Sequence, residues 1–445
     1  MHSSWIRRFA FLPIMILFLS ACQPISFGEI DSEPSFSEPP RKAWQEAVTY
    51  EAKNYEIVRG LWISQFDLFP ICVDGEKQRK EADYTRRAQQ MIDNAASLGI
   101  NTVFVQVRPN GDSFYPSELF PSSRYATGRI GSSFEYDPFS ILLELAHKAE
   151  LSVHAWINPL RCFSEGDRAT LNEAKSSEAY RALLWSNRSL YDDYIQPVNG
   201  IWYLNPAYKE TRGLVCEGVA EILSRYNVDG IHIDDYFYPT TEQSFDAVAF
   251  AAYRSRDGTD SLGAFRREAI NCLVKELWET VRAAGGNRLF GVSPGGNLER
   301  NYNELYADVA AWCAKDGYVD YLCPQIYFGW EHDTIPFAKA CERFSALTAN
   351  TSIRLIIGMT LGKAYDGYYG KEDSYAGSGK TEWIEHTDVL RRCFFYAEEL
   401  TNGNGVAYFS YQYFFSPTDG TEIKETASER SGFVPLLKED SKKYF

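Results

Sequence analysis

Asp229-Gly230-Ile231-His232-Ile233-Asp234-Asp235-Tyr236 is the stretch on which the fold turns. Ile231 and Ile233 alternate with His232 and Asp234, the period of two that puts successive side chains on opposite faces of a strand. The run then ends on two adjacent carboxylates. Such a pair at the carboxyl end of a buried strand is costly unless it is used, and in a parallel barrel that end is where reactive groups collect. Taken in isolation, the same Asp pair could belong to a turn or a helix cap.

Outward from this strand, the chain after residue 58 alternates β-rich runs with amphipathic helical stretches, the pattern of a parallel sheet with crossover helices. Eight strands are expected, at 60–66, 102–108, 152–158, 230–235, 289–293, 321–327, 354–360 and 406–412. Eight closes a (β/α)8 barrel of the TIM type, an α/β fold. Helical stripes lie between them: Ala88, Met91, Ile92, Ala95 and Leu98, and again Leu262, Phe265, Ala269, Leu273, Leu277 and Val281. The helix-to-strand connections are short. The strand-to-helix loops 159–208, 237–260 and 361–382 are long and add length on the face where barrel enzymes keep their sites. A doubly wound nucleotide-binding sheet lacks support, because no Gly-x-Gly-x-x-Gly follows the first strand and no phosphate loop is present.

Alternation sorts the strand ends. Gln106 and Arg108 are expected to point inward from the second strand, and His154, Trp156 and Asn158 from the third. The fourth sends His232 and Asp234 inward with Asp235 at the rim, and the sixth adds Gln325 and Tyr327. The amides suit hydrogen bonding to hydroxyl-rich ligands. The aromatics Trp62, Trp156, Tyr236, Phe237, Tyr238, Tyr327, Phe328 and Trp330 fall at or just past strand ends, where rings can stack on sugars, although each taken alone is more often core. His154, His232 and Asp234 could in principle hold a metal. Both histidines precede the strand ends, however, and read better as satisfied interior groups, so no metal or other cofactor is expected. No Gly-x-Ser-x-Gly elbow supports an esterase.

The chain carries 45 Lys+Arg against 60 Asp+Glu, a net charge of −15, with 45% hydrophobic and 15% aromatic residues. Such a composition builds a core, which excludes wholesale disorder, and offers no basic stripe, so nucleic acid is not an expected partner. Arg7 and Arg8 precede an apolar run from Phe9 to Leu19, too short to span a bilayer permanently, and it ends Leu19-Ser20-Ala21-Cys22. Residues 1–21 therefore read as an export signal. The last four resemble the lipobox of bacterial lipoproteins, with Cys22 lipidated and the protein held on a membrane outside the cytoplasm. Residues 22–54 are expected to be a flexible tether, 55–417 the barrel, and 418–445 a C-terminal helix or tail whose Lys-rich end is a solvated surface. The other eight cysteines show no Cys-x-x-Cys and no zinc spacing, and read mainly as buried thiols.

Several ordered motifs carry a family resemblance: Arg59-Gly60-Leu61-Trp62, Gln106-Val107-Arg108-Pro109 followed by Gly111-Asp112, His154-Ala155-Trp156-Ile157-Asn158-Pro159, the Asp229–Tyr236 strand, and Pro324-Gln325-Ile326-Tyr327. Spread over residues 55–415, they resemble the glycosyl-hydrolase-like 10 family of bacterial lipoproteins. The resemblance implies a glycosidase-type barrel acting on envelope polysaccharide, in particular peptidoglycan glycan strands, including those stripped of peptides. The Asp229–Tyr236 strand also runs parallel to the Asp-Gly-x-Asp-x-Asp-x-Glu strand of chitinases. There His232 replaces an Asp and Tyr236 replaces the catalytic Glu, so that chemistry is not available.

Glycoside hydrolysis needs one carboxyl to protonate the leaving oxygen and usually a second as nucleophile or base. Asp234 is the expected nucleophile or base. Its partner is Asp235 first and Asp112 second, with Asp67 a further candidate. Adjacent strand residues tend to point apart, which weakens Asp235 unless the strand ends between them. Gln106, Arg108, Trp156, Asn158, Tyr236, Gln325 and Tyr327 are the expected substrate-positioning residues, with Arg108 alternatively holding Asp234 ionised. A competing class is a glycan-binding lipoprotein whose barrel has lost a carboxyl role.

Overall fold

The computed structural model describes residues 50–174, 193–400 and 402–438. The expected signal 1–21, the lipidation site Cys22, tether residues 23–49 and, of the Lys-rich end 438–443, residues 439–443 lie outside the described residues. Eight parallel strands close a barrel: β1 (Val58–Ile63), β2 (Thr102–Arg108), β3 (Ser152–Ile157), β4 (Gly230–Ile233), β5 (Leu289–Val292), β6 (Tyr321–Leu322), β7 (Arg354–Thr360) and β8 (Gly403–Phe409). Each strand pairs with the next in sequence, and β8 returns to β1. All eight expected strands are present, with shifted ends. β1 stops at Ile63 because the Ser64 N–H and hydroxyl both donate to Asp67 Oδ2 at 2.7 Å, which starts the helix Gln65–Cys72. β6 is short because Pro324 has no N–H to give a ladder, although single bridges at Gln325 continue its pairing toward Gly295 and Gly358.

Strand alternation divides the apolar residues into two layers. Leu61, Ile63, Val103, Val105, Val153, Ile231, Ile233, Phe290 and Val292 face outward and pack against the helices, whose stripes include Ala88, Met91, Ile92, Ala95, Leu273, Leu277 and Val281. Each fully buried aliphatic side chain of this kind contributes roughly 1.5–3 kcal/mol. Trp62, Phe104, Trp156, Tyr321, Cys323, Ile356 and Ala407 fill the interior. Space for the rings comes from glycine: a Cβ on Gly291 would lie 1.9 Å from Tyr321, and one on Gly230 would lie 2.6 Å from His154.

Residues 50–54 depart from the expected tether. Asp229, at the entry to β4, accepts hydrogen bonds from the Tyr50 hydroxyl (2.6 Å), the Lys53 N–H (2.6 Å), the Val153 N–H (2.7 Å) and His147 (3.0 Å). The Asn54 amide donates to the Asp229 carbonyl. This segment covers the amino-terminal end of the barrel because it satisfies a buried carboxylate there, and composition alone does not reveal such a bond. At the other end of the chain, the helix Ala427–Leu437 packs on the helix Val389–Glu399, with Phe433 stacked on Tyr408 of β8 at 4.8 Å. The excursion after β3 builds a three-stranded antiparallel sheet from Arg161–Ser164, Ile201–Leu204 and Ile195–Val198. Seven of the eight cysteines after Cys22 are buried, as small apolar groups are.

Candidate active site

The floor beneath the cleft is a directed chain of hydrogen bonds. Trp62 Nε1 can only donate, and it donates to His232 Nε2 at 3.1 Å. The His232 proton therefore sits on Nδ1 and is given to Tyr321 Oη (2.9 Å). The tyrosine hydroxyl in turn donates to His154 Nδ1 (2.8 Å), and His154 Nε2 donates to Asn54 Oδ1 (2.9 Å). Both imidazoles are neutral, because burial pushes His154 down to about 4 and His232 further below its ordinary value. They are satisfied interior groups, with every ring nitrogen already used.

β4 ends at Ile233, whose carbonyl accepts from the Ser293 N–H at 2.7 Å. The strand thus stops before Asp234 and Asp235, and the rule that neighbours point apart no longer governs them. Asp234 is buried and turns toward β3: Trp156 Nε1 donates to its Oδ2 at 2.9 Å, and the Tyr236 N–H reaches its Oδ1 at 3.3 Å. Asp235 turns toward β5 and β6, where the Gln325 side chain bonds it and a Cβ on Gly295 would lie 3.5 Å from its Oδ2. Gln325 itself donates to the Ser293 carbonyl at 3.1 Å. The two carboxyls form one unit at the mouth of the barrel.

Their environments differ. Burial, and then the charge of Asp235, push the Asp234 carboxyl well above the carboxylate range, against the opposing pull of Trp156, the Tyr236 N–H and the Arg161 cation. Burial also raises Asp235, opposed by Gln325 and by the charge of Arg300. Of the two, Asp234 is pushed further toward the protonated form. That direction suits a general acid, where the sequence reading expects a nucleophile or base.

Gln106 and Asn158 line the same floor and hold each other. Gln106 Nε2 donates to Asn158 Oδ1 at 2.9 Å, and its Oε1 accepts from the Gln65 N–H at 2.8 Å. The Tyr327 phenol lies within the field of both aspartates, its ring 5.9 Å from that of Phe409. Tyr236 is 38% exposed at the rim. Trp156, expected to meet substrate, is 5% exposed and is engaged with Asp234. Phe237 and Tyr238 belong to the helix layer, against Trp312 and Tyr306.

Three expectations are corrected. Arg108 does not point into the cleft. The β2–β3 register slips between Gln106 and Arg108, so that Val107 is an extra residue and Arg108 comes to pair with outward-facing Ile157. Its guanidinium lies 4.2 Å from the Phe120 ring and would meet a Cβ on Gly218 at 2.3 Å, in the layer between barrel and helix. Asp112 turns to the Asn110 N–H (2.9 Å) and to Ser123, bracing the loop after β2; burial raises it to about 6. Asp67 joins the loops after β1 and β8, accepting from Ser64 and from the Gln412 N–H at 2.7 Å. The cation that acts on Asp234 is instead Arg161, whose Cζ lies 5.0 Å from the Tyr236 ring centroid. The sequence reading missed it. Its one signal is position, three residues past Asn158 in a strand-to-helix loop.

Comparison with known proteins is consistent with this geometry. The pattern of a family described as glycosyl hydrolase-like 10 matches residues 57–372. Glycosyl hydrolase DigH of Escherichia coli K12 is 30% identical over 405 residues, covering 86% of this chain and 89% of that protein. Glycosyl hydrolase YngK of Bacillus subtilis is 29% identical over 334 residues, covering 71% of this chain; the match spans 63% of that longer relative. Among solved structures, the glycoside hydrolase domain of PgaB (BpsB) from Bordetella bronchiseptica superposes with a TM-score of 0.51 at 13% identity, over 79% of this chain and 94% of that one. At that identity the likeness speaks for the barrel fold alone.

Proposed function

The chain belongs to the glycosyl hydrolase-like 10 family, and we propose that this glycoside hydrolase cleaves glycosidic bonds in envelope polysaccharide, namely peptidoglycan glycan strands, including those without stem peptides. The observation that carries the mechanism is the Asp234–Asp235 pair at the mouth of β4, with the deeper carboxyl pushed by burial and by its neighbour's charge toward the protonated form. Asp234 gives its proton to the glycosidic oxygen as the bond from that oxygen to C1 breaks. Asp235, nearer solvent and held by Gln325, acts at C1 as nucleophile or as the base that activates water. Gln106, Asn158 and Tyr327 shape the floor on which the sugar rests, and exposed Tyr236 offers a ring face.

The proposed site of action is the cell envelope, with the body held on a membrane through Cys22. Support comes from the lipobox-like Leu19-Ser20-Ala21-Cys22 and from the point where the chain enters the body. Tyr50 to Asn54 lie at the amino-terminal end of the barrel, so an anchor joined there leaves the opposite, cleft-bearing face open to polymer.

The test is reducing-end release and product mass from purified glycan strands, with and without stem peptides, by the wild type and by Asp234→Asn. Cleavage lost in the variant is the expected result. Saturable binding with no new reducing ends in either protein would replace hydrolysis by glycan binding.

A further inference from the structure

Arg161 is the cleft residue whose surroundings remain unexplained by acid catalysis alone. Several arginines of the described residues are tied to carboxylates: Arg266 reaches Asp246 at 2.6 Å, and Arg212 reaches Glu276 at 3.0 Å. Arg161 has none within ion-pair distance, and its Nε is buried without a hydrogen-bond partner among the described residues. The backbone holds it firmly, because Arg161 pairs with Tyr203 in the antiparallel sheet after β3. Its guanidinium lies over the partly exposed Tyr236 ring, with its charge acting on Asp234. A guanidinium with no ion pair among the described residues, at the edge of a carbohydrate cleft in a chain of net charge −15, has donors to offer an anion.

We propose that Arg161 is a specificity-determining residue that binds a carboxylate on the sugar: the free lactyl carboxylate of a muramyl residue from which the stem peptide has been removed. This inference rests on the glycan-strand reading above. A peptide-bearing strand carries an amide at the same atoms. The amide has no charge and only one acceptor oxygen, so it cannot take the paired charge-assisted bonds that a carboxylate takes. The bound carboxylate also neutralises one of the influences drawing Asp234 toward ionisation, so the charged substrate favours the protonated acid.

The experiment compares two probes, a peptide-free muramyl tetrasaccharide and the same tetrasaccharide with its lactyl carboxylates converted to methylamides. Affinities are measured by calorimetry on the full chain carrying Asp234→Asn, and cleavage is scored separately on the wild type. The free acid is expected to bind roughly 10- to 100-fold more tightly than the methylamide. Adding Arg161→Gln is expected to reduce that preference to about threefold or less, and Arg161→Lys to retain part of it. Equal affinity for the two probes while Arg161 is present overturns the proposal whether or not the Gln variant folds, as does a preference that survives Arg161→Gln. A preference without cleavage by the wild type would remove the hydrolytic reading and leave the Arg161 assignment standing; cleavage without preference would do the reverse.

Discussion

Replacing Trp156 by Phe removes one hydrogen bond at the centre of the site. Trp156 Nε1 donates to Asp234 Oδ2 at 2.9 Å, and both groups are buried. In the ground state that bond meets a protonated carboxyl. In the transition state it meets a carboxylate, because the acid has given up its proton, so the bond strengthens where charge develops. A hydrogen bond to a charged group is worth roughly 1.5–3 kcal/mol, which at about 1.4 kcal/mol per decade predicts a loss of roughly 10- to 150-fold in kcat/KM. The sign of the pH effect follows from the same bond. The indole N–H favours the ionised form and opposes the rise in the Asp234 pKa, so its removal moves the alkaline limb of the kcat/KM profile to higher pH. The assay is reducing-end release across pH on folded protein, with the melting temperature followed in parallel to separate the cavity left by the smaller ring. A kcat/KM within twofold of the wild type, or an alkaline limb displaced to lower pH, would refute Asp234 as the acid tuned by Trp156.

Two further predictions bear on the fold around the site. Arg108→Ala is expected to cost about 2–3 kcal/mol in urea unfolding while leaving KM unchanged in the folded enzyme, because the guanidinium packs on Phe120 outside the barrel; a raised KM with an unchanged melt would return it to the cleft. Glu429, which accepts from the Leu390 N–H, is pushed by burial from its ordinary 4.5 to about 7. Its contribution to stability is complete below about pH 4.5 and is lost as pH rises through about 7, a fall of about 3 kcal/mol. Glu429→Gln should flatten that part of the stability profile between about pH 4.5 and 7; parallel curves for variant and wild type would exclude the assignment.

The barrel was legible in the sequence because the period of two in the strands and of three to four in the helices are local signals, and eight repeats leave few ways to close a sheet. The place of Asp234 and Asp235 was legible for the same reason, since they follow Ile233 at a strand end. The neutrality of His154 and His232 was also within reach, because both precede the strand ends, where a parallel barrel is packed shut. Arg108 and Arg161 were not. One extra residue at Val107 reverses the face of everything after it in β2, and nothing in the local composition marks that slip. The division of labour proposed for the two carboxyls depends on which is buried more deeply and on which donors come from β3 and from just past β6, residues about 80 and 90 positions away along the chain. Residues 50–54 depart from the expected tether because the buried residue that binds them, Asp229, lies 175 positions from Asn54. Periodicity and motif order thus determined the architecture and the strand that bears the acids. Register, burial and the partners of each charge, which are sums over residues distant in sequence, were decided only when the chain closed on itself.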